Sequence, residues 1–424
     1  MRDQPEAPLS RAAGRAGEIH FVEFVGLIAL MMAITALSID IMLVALPDIA
    51  HSFAVARPND RQLVVTTYMI GFAVGQPFHG PLSDRFGRKP VLILGLLIFS
   101  IGAVGSALAT GFTGLLAARA LQGFGAAAPR IVAIAIVRDC FAGRDMARVM
   151  SFVMMVFIIV PVLAPALGEA ILQFGPWPWI FGFLLLTAAA ALLWSALRLP
   201  ETRPAADRLP LSGAALTGAF LKVVTTRRTL GYTVAMGFLF GGLLSYVGSA
   251  QQIFVDVYGL GSMFAVMFGA IAVTMALASL VNARLVVRLG MRRVSHLALA
   301  GYVAAGLAMA LLGFPTHPPL WLLGAFLGIV FFCFGLIAPN FNALAMEPLG
   351  RVAGMASSFI GFYTTAFGAL VGWAVGQAFD DTVRPLVVGF AAMGALALLT
   401  VLKTEGRLLV RGGEEPAAPP ARER

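Results

Sequence analysis

GPLSDRFGRKP, residues Gly80 to Pro90, sets four charges, Asp84, Arg85, Arg88 and Lys89, within six residues and between two apolar runs. The surrounding chain of 424 residues is 59% hydrophobic and only 12% charged. A soluble domain carries about 25% charged residues, so charge is scarce here and its placement is informative. Apolar runs of roughly 20 residues recur along the chain, each long enough to cross a bilayer as a helix. The pattern predicts an all-α, polytopic membrane protein in which Gly80–Pro90 is a short loop at the membrane surface.

Twelve apolar segments are expected: Phe21–Pro47, Arg61–Leu82, Val91–Ala109, Phe112–Val137, Ala147–Phe174, Trp177–Leu197, Gly231–Val255, Met263–Val286, Val294–Phe314, Leu320–Pro339, Ala353–Phe379 and Pro385–Val401. Gly and Pro punctuate the two shortest turns, at Thr110–Gly111 and Gly175–Pro176. The first segment is too long for a signal peptide and lacks a small-residue cleavage site, so it is read as a permanent span. Of the 30 Lys and Arg residues, 25 fall on the side of the two chain ends. Arg57, Arg61 and Arg384 fall on the other side, and Arg119 and Arg130 lie inside spans. Basic residues collect in loops that stay in the cytoplasm, so both ends are expected there, with Trp177 and Trp179 at the outer interface. The same rule accounts for the net charge of +9 without nucleic acid. Two cysteines, Cys140 and Cys333, provide no disulfide framework.

The longest polar stretch separates two sets of six spans. The expected organisation is an N-terminal tail (1–20), a six-helix bundle (21–197), a central cytoplasmic loop (198–230), a second bundle (231–403) and a C-terminal tail (404–424). Within the loop, Leu211–Val224 is amphipathic and suits the membrane surface. The halves echo one another: Arg85-Phe-Gly-Arg-Lys89 after the second span has a degraded copy, Arg288-Leu-Gly-Met-Arg-Arg293, after the eighth. That copy has Val287 where the first has Asp84. Paired halves of this kind suggest a transporter with its site between them near mid-membrane. There is no GxxxxGK[ST] phosphate loop and no metal-ligand cluster. No cofactor is expected, and uphill transport would draw on an ion gradient. The five histidines are scattered, and His79 is assigned to packing.

In the opening stretch, Gly80 leaves room for another helix to approach the second span. Asp84, just past the helix end, could accept hydrogen bonds from a neighbouring helix N-terminus, whose dipole favours an anion; the eleventh span begins on that side. The basic residues can pair with acids at the end of the fourth span, such as Asp139, or with lipid phosphates. Gly80-x-x-x-Asp84-Arg85-x-Gly87-Arg88-Lys89 resembles the signature loop of the major facilitator superfamily at every position. Leu116-Ala-Ala-Arg119-Ala-Leu-Gln122-Gly123 resembles the family's fourth-span motif, and Ala164-Pro-Ala-Leu-Gly168 its antiporter motif. Tyr246 to Tyr258-Gly-Leu260, Pro339-Asn-Phe-Asn-Ala343, Glu347-Pro348 and Ala353-Gly-Met-Ala-Ser-Ser358 are similar to the bicyclomycin/chloramphenicol-resistance (Bcr/CflA) branch of twelve-span drug:proton antiporters. The resemblance spans roughly Ala36 to Val401. It implies two pseudo-symmetric six-helix bundles and a loop that latches the halves in the outward-open state.

An ionisable group inside a span is costly and is a functional candidate by default. Asp40 and Arg119 each lie about seven residues from the outer end of their spans, about 10 Å deep at 1.5 Å per residue. Equal depth makes a pair possible. Desolvation favours a neutral carboxyl and a guanidinium favours a charged one; a carboxylate between the two can exchange a proton as a cavity opens and closes. A static salt bridge is the other reading. Glu169 has similar depth, and the family pattern has Gly at that position. It is either a second protonatable group, a counter-charge for cationic substrates, or an acid at a wet rim. Arg130 is expected to face the cavity or reach a backbone carbonyl. Pro161 and Pro165, which remove backbone donors, and Gly168 shape the fifth span. Tyr68, Gln76, Gln122, Tyr246, Gln251 and Tyr363 are candidate cavity residues, since aromatic and amide groups suit flat, amphiphilic ligands.

The resulting expectation is a monomeric proton-coupled antiporter of a bacterial inner membrane. It would export small amphiphilic drugs by alternating access, with protons, a small molecule and lipids as partners. An exporter of an endogenous metabolite, such as an amino acid or small peptide, is the alternative. A non-transporting receptor is disfavoured by the intramembrane charges and short outer loops.

Overall fold

A computed structural model describes residues 20–141, 143–208, 213–311 and 316–406. The expected tails lie outside the described residues, apart from their helix-proximal ends. Twelve long helices follow one another: α1 (Phe21–Asp40), α2 (Leu63–Phe86), α3 (Arg88–Ala107), α4 (Phe112–Cys140), α5 (Gly143–Phe174), α6 (Pro178–Arg198), α7 (Arg227–Gln251), α8 (Phe264–Leu289), α9 (Met291–Leu311), α10 (Leu320–Met346), α11 (Ala353–Gln377) and α12 (Arg384–Glu405). There is no strand among the described residues. Among the described residues, ten candidate spans are long and apolar enough to cross a membrane. The two long helices outside that group are α2, which carries Gln76, His79, Pro77 and Pro81, and α5, whose described apolar part is the shorter Ile159–Phe174. The two tight turns expected at Thr110–Gly111 and Gly175–Pro176 are present, between α3 and α4 and between α5 and α6.

The helices alternate in direction, so one face of the bundle holds the start of α1, the end of α12 and the linker. This is the terminal face, and the opposite one is the distal face. Within each half the neighbours repeat. α2 packs on α4 as α8 packs on α10, α3 on α6 as α9 on α12, and α1 on α5 as α7 on α11. The turn between paired helices repeats as well. Gly87 (φ 103°) joins α2 to α3 and Gly290 (φ 79°) joins α8 to α9. Both sit in the left-handed region that glycine alone enters cheaply, which is why the degraded copy keeps its glycine while losing its aspartate.

Close approach inside the N-terminal half rests on small residues. A Cβ on Gly71 would collide with the Ala120 carbonyl of α4, and one on Gly123 with that of Tyr68 on α2. With no hydrophobic force between helices in lipid, such contacts let dispersion hold the pair. Between halves two seams form, α2 against α11 and α5 against α8. The linker contains a helix, Gly213–Thr225, that buries Ala219 and Val223 against α11 and stacks Phe220 edge-on to Phe359 at 5.5 Å.

Candidate substrate and proton site

The first span does not run as one regular helix. α1 ends at Asp40, a 3-10 turn covers Leu43–Ala45, and a short helix, Leu46–Ser52, resumes. Pro47 is the cause on the sequence side, since its ring disfavours the carbonyl four residues earlier and it donates no hydrogen bond. As the backbone tightens, the Met42 N–H bonds to Ile39 O at 3.2 Å. The Ser38 carbonyl, which a regular helix would pair with Met42, is left free, and Arg119 of α4 takes it, donating from Nη2 at 3.0 Å.

Arg119 is fully buried. It also donates from Nε to Val64 O at 3.1 Å and from Nη1 to Gln122 Oε1 at 2.6 Å. Its guanidinium lies 4.4 Å from the centre of the Tyr68 ring and 5.7 Å from that of Phe181. Hydrogen bonds from a charged donor contribute about 1.5–3 kcal/mol each, and cation–π contact adds to them. Arg119 therefore does not pair with Asp40, contrary to the equal-depth expectation. Depth along two helices sets the level of two groups but not their rotation, and the break in α1 offers the arginine a backbone carbonyl instead.

Asp40, 6% exposed, makes no hydrogen bond or ion pair among the described residues. It lies within electrostatic reach of Tyr68 in its own half and of Tyr246 of α7 in the other. The Tyr246 hydroxyl is buried and has no hydrogen-bond partner there. Its ring stacks on Phe268 at 5.6 Å and meets Phe331 edge-on at 4.8 Å. A buried carboxylate at a helix break thus lies within electrostatic reach of a phenol of the other half that has no hydrogen-bond partner among the described residues and is backed by aromatic rings. Arg130 sits three turns further along α4, within electrostatic reach of Tyr68.

The other expected cavity residues scatter. Tyr68 and Gln122 are fully buried inside the N-terminal half. Tyr68 donates to Thr35 O at 3.4 Å, and Gln122 holds Arg119. They support the site rather than line a cavity. Gln76 bridges the halves, donating to Gly361 O at 3.2 Å and to the Thr365 hydroxyl at 3.1 Å. Gln251 lies at the distal end of α7, 3.5 Å from Asp256. Tyr363 is half-buried and stacks on Phe367 at 5.4 Å. On α5, Pro161 and Pro165 are carried within one helix. Gly168 meets the α1 break, where a Cβ would come 2.6 Å from Ile41 O. Glu169 lies beside the backbone N–H of Ala265 in the first turn of α8, where the free donors of a helix N-terminus favour an anion. His79 is buried against Phe124, with Nδ1 2.8 Å from Gly75 O.

At the terminal face, Gly80 lies against α11: a Cβ there would come 2.9 Å from Ser358 Oγ. Asp84 has no described contact with α11. It accepts from Arg88 at 2.8 Å and from Arg203 of the linker at 2.7 Å. Arg88 also binds Asp139 at 2.7 Å and Ser83 at 2.7 Å. Lys89 Nζ donates to Ala196 O at 2.8 Å, and Arg85 is exposed. Glu201 caps the start of α3, accepting from the Arg88 and Lys89 N–H groups at 2.9 and 3.2 Å. Glu201 and Arg203 were not singled out by the sequence reading. Their signal is Pro200-Glu-Thr-Arg203 directly after α6, a charged pair that looks like ordinary loop.

Comparison with known proteins bears on this arrangement. Residues 28–376 match the family model of the Major Facilitator Superfamily. The chain is 31% identical over 387 residues to a bicyclomycin resistance protein homolog of Haemophilus influenzae, covering 89% of this chain and 94% of the relative. It is 31% identical over 346 residues to the multidrug resistance protein MdtL of Escherichia coli K12, covering 79% and 83%. Among solved structures, the partially occluded inward-open xylose transporter XylE of E. coli superposes with TM-score 0.71 at 14% identity, over 93% of this chain and 99% of that one. The human organic anion transporter MFSD10 superposes with TM-score 0.67 at 20% identity, over 90% and 100%. The chain belongs to the major facilitator superfamily of membrane transporters, in the Bcr/CflA branch.

Proposed function

We propose that this protein exports small amphiphilic compounds, antibiotics among them, from a bacterial cell across the inner membrane in exchange for protons. The resistance relatives support the substrate class. The bias of Lys and Arg toward the terminal face supports placing that face in the cytoplasm. The observation that carries the coupling is Asp40: a buried carboxylate without a partner, at a break in α1, opposite Tyr246 of the other half. Such a group binds either a proton or a polar substrate, and the low-dielectric site makes the two compete. A proton arriving from outside neutralises Asp40 and loosens the substrate, which leaves outward. The halves then rock, and the proton is released inward. No cofactor enters this cycle.

The test uses inside-out vesicles energised by respiration, with a pH-sensitive dye. Chloramphenicol-like, cationic and zwitterionic compounds are added in turn to wild type and to Asp40→Asn. Dissipation of the gradient by one of them, lost in the variant at equal membrane abundance, is the expected result. Equal dissipation by both proteins removes Asp40 from the coupling. If no compound dissipates the gradient while cell metabolites do, the cargo is an endogenous metabolite.

A further inference from the structure

At the distal face the two halves are tied by polar side chains from the segment before α2 and from the ends of α7 and α11. The segment Pro58–Gln62, before α2, meets the end of α7 and the end of α11. Gln62 donates to Gln252 and, at 3.3 Å, to Gly376 O. Gln252 donates to Asn59 Oδ1 at 2.8 Å. Asn59 donates to Phe379 O at 2.9 Å and to Gln377 O at 3.2 Å, and Gln377 returns a bond to Asn59 O at 3.1 Å. Arg61 forms an ion pair with Asp256. Each of these contacts crosses from one half to the other.

The backbone is adapted to the contact. Gln252–Val257 forms a π-helical turn, an arrangement common at functional sites. Gln252 opens this turn and bonds to Asn59 and Gln62, and Asp256 within it lies 3.5 Å from Gln251 Nε2. Gln62 and Gln252 are each 1% exposed. Yet the clasp is not fully satisfied: Gln62 Oε1, Gln251 Oε1 and Arg61 Nε are buried and without a partner among the described residues. A permanent staple would pair these atoms. Here their desolvation is a standing cost of closure that water relieves on opening. Below the clasp lies a crevice lined by Val65, Met69, Leu244 and Gly248.

We propose that Asn59, Arg61 and Gln62 with Gln252 and Asp256 form the outer gate of the transport cycle, closed in this conformation and poised to open. The assignment of this face to the outside rests on the orientation proposed above. The test places a reporter thiol under the clasp, Met69→Cys, in a Cys140→Ser background. The buried native Cys333 is kept as a folding control. A membrane-impermeant maleimide is applied to right-side-out and to inside-out vesicles, and labelling is assigned by mass spectrometry. Gln252→Ala and Arg61→Ala should each raise labelling at residue 69 about tenfold, the shift expected when one or two hydrogen bonds leave a two-state equilibrium. Cys333 should remain slow. Exchange of the charges, Arg61→Asp with Asp256→Arg, should restore slow labelling that Arg61→Asp alone abolishes. Unchanged labelling at residue 69 in the alanine variants overturns the gate, as does a rise matched at Cys333. A rise seen only in inside-out vesicles supports the gate and overturns the orientation.

Discussion

Along α2 and α11 the halves meet through hydrogen bonds, from Gln76 with Gly361 and Thr365 near the terminal side to Asn59 and Gln62 with the ends of α7 and α11 at the distal side. Along α5 and α8, among the described contacts, Val162 meets Gly269, where a Cβ would come 3.2 Å from Val162 Cγ1, and Glu169 meets the Ala265 N–H. The two seams are related by the internal repeat, so the difference is chemical rather than topological. A hydrogen bond exchanged for one to water contributes only about 0.5–1.5 kcal/mol net. A seam made of such bonds can part when water enters. A small-residue contact has no such substitute, because its dispersion energy depends on staying close. α2–α11 is therefore suited to opening and α5–α8 to serving as the surface about which the halves roll.

Five substitutions probe these contacts. The largest effect is expected from Gly168→Leu, which drives side-chain atoms into Ile41 O and Val44 where α5 backs onto the α1 break. Overpacking costs about 1–3 kcal/mol, so substrate-driven proton flux should fall by about tenfold or more, and the melting temperature in detergent should drop. Retained flux would mean that the packing of α5 on the α1 break is looser than its geometry. Next is Gln76→Leu, which removes two cross-half hydrogen bonds. Turnover should change by about three- to tenfold at constant melting temperature, and an unchanged rate would remove the polar seam from the cycle. Third, Asp84→Asn and Arg203→Ala should each slow turnover about two- to fivefold, the worth of a partly exposed ion pair, with little change in substrate affinity. A loss of affinity without a loss of rate would count against a latch. Smallest is Gly269→Ala: its methyl needs only a few tenths of an ångström from Val162, and flux should stay within about twofold.

Much of the architecture was readable in advance. Twelve apolar runs, charge asymmetry and the repeated Arg-x-Gly turn lead to two six-helix halves, and Gly87 and Gly290 show why the turn survives where Asp84 does not. At the site, spacing along a helix gives a level but not an azimuth. Asp40, Arg119 and Tyr68 do share a level; what spacing cannot supply is which way each points once α1 breaks. Pro47 is the visible cue to that break, although in the sequence it marks only the end of an apolar run. Gln122 was misassigned to a cavity for the same reason. Asn59, Gln62, Gln252 and Asp256 escaped notice because polar residues at helix ends look like loop, and a π turn leaves no periodic mark in sequence.

The linker is fastened at both of its ends. Glu201 and Arg203 grip the α2–α3 loop, and the linker helix rests on α11 with Lys222 donating to Leu349 O at 3.2 Å. The two anchorages are joined by the ten residues that follow Arg203, and a chain of that length spans at most about 36 Å. The strap thus acts as a mechanical stop, limiting how far the terminal-face ends of the halves can separate before one anchorage must let go. Inserting a flexible segment there would lengthen the stroke without touching a single residue of the site.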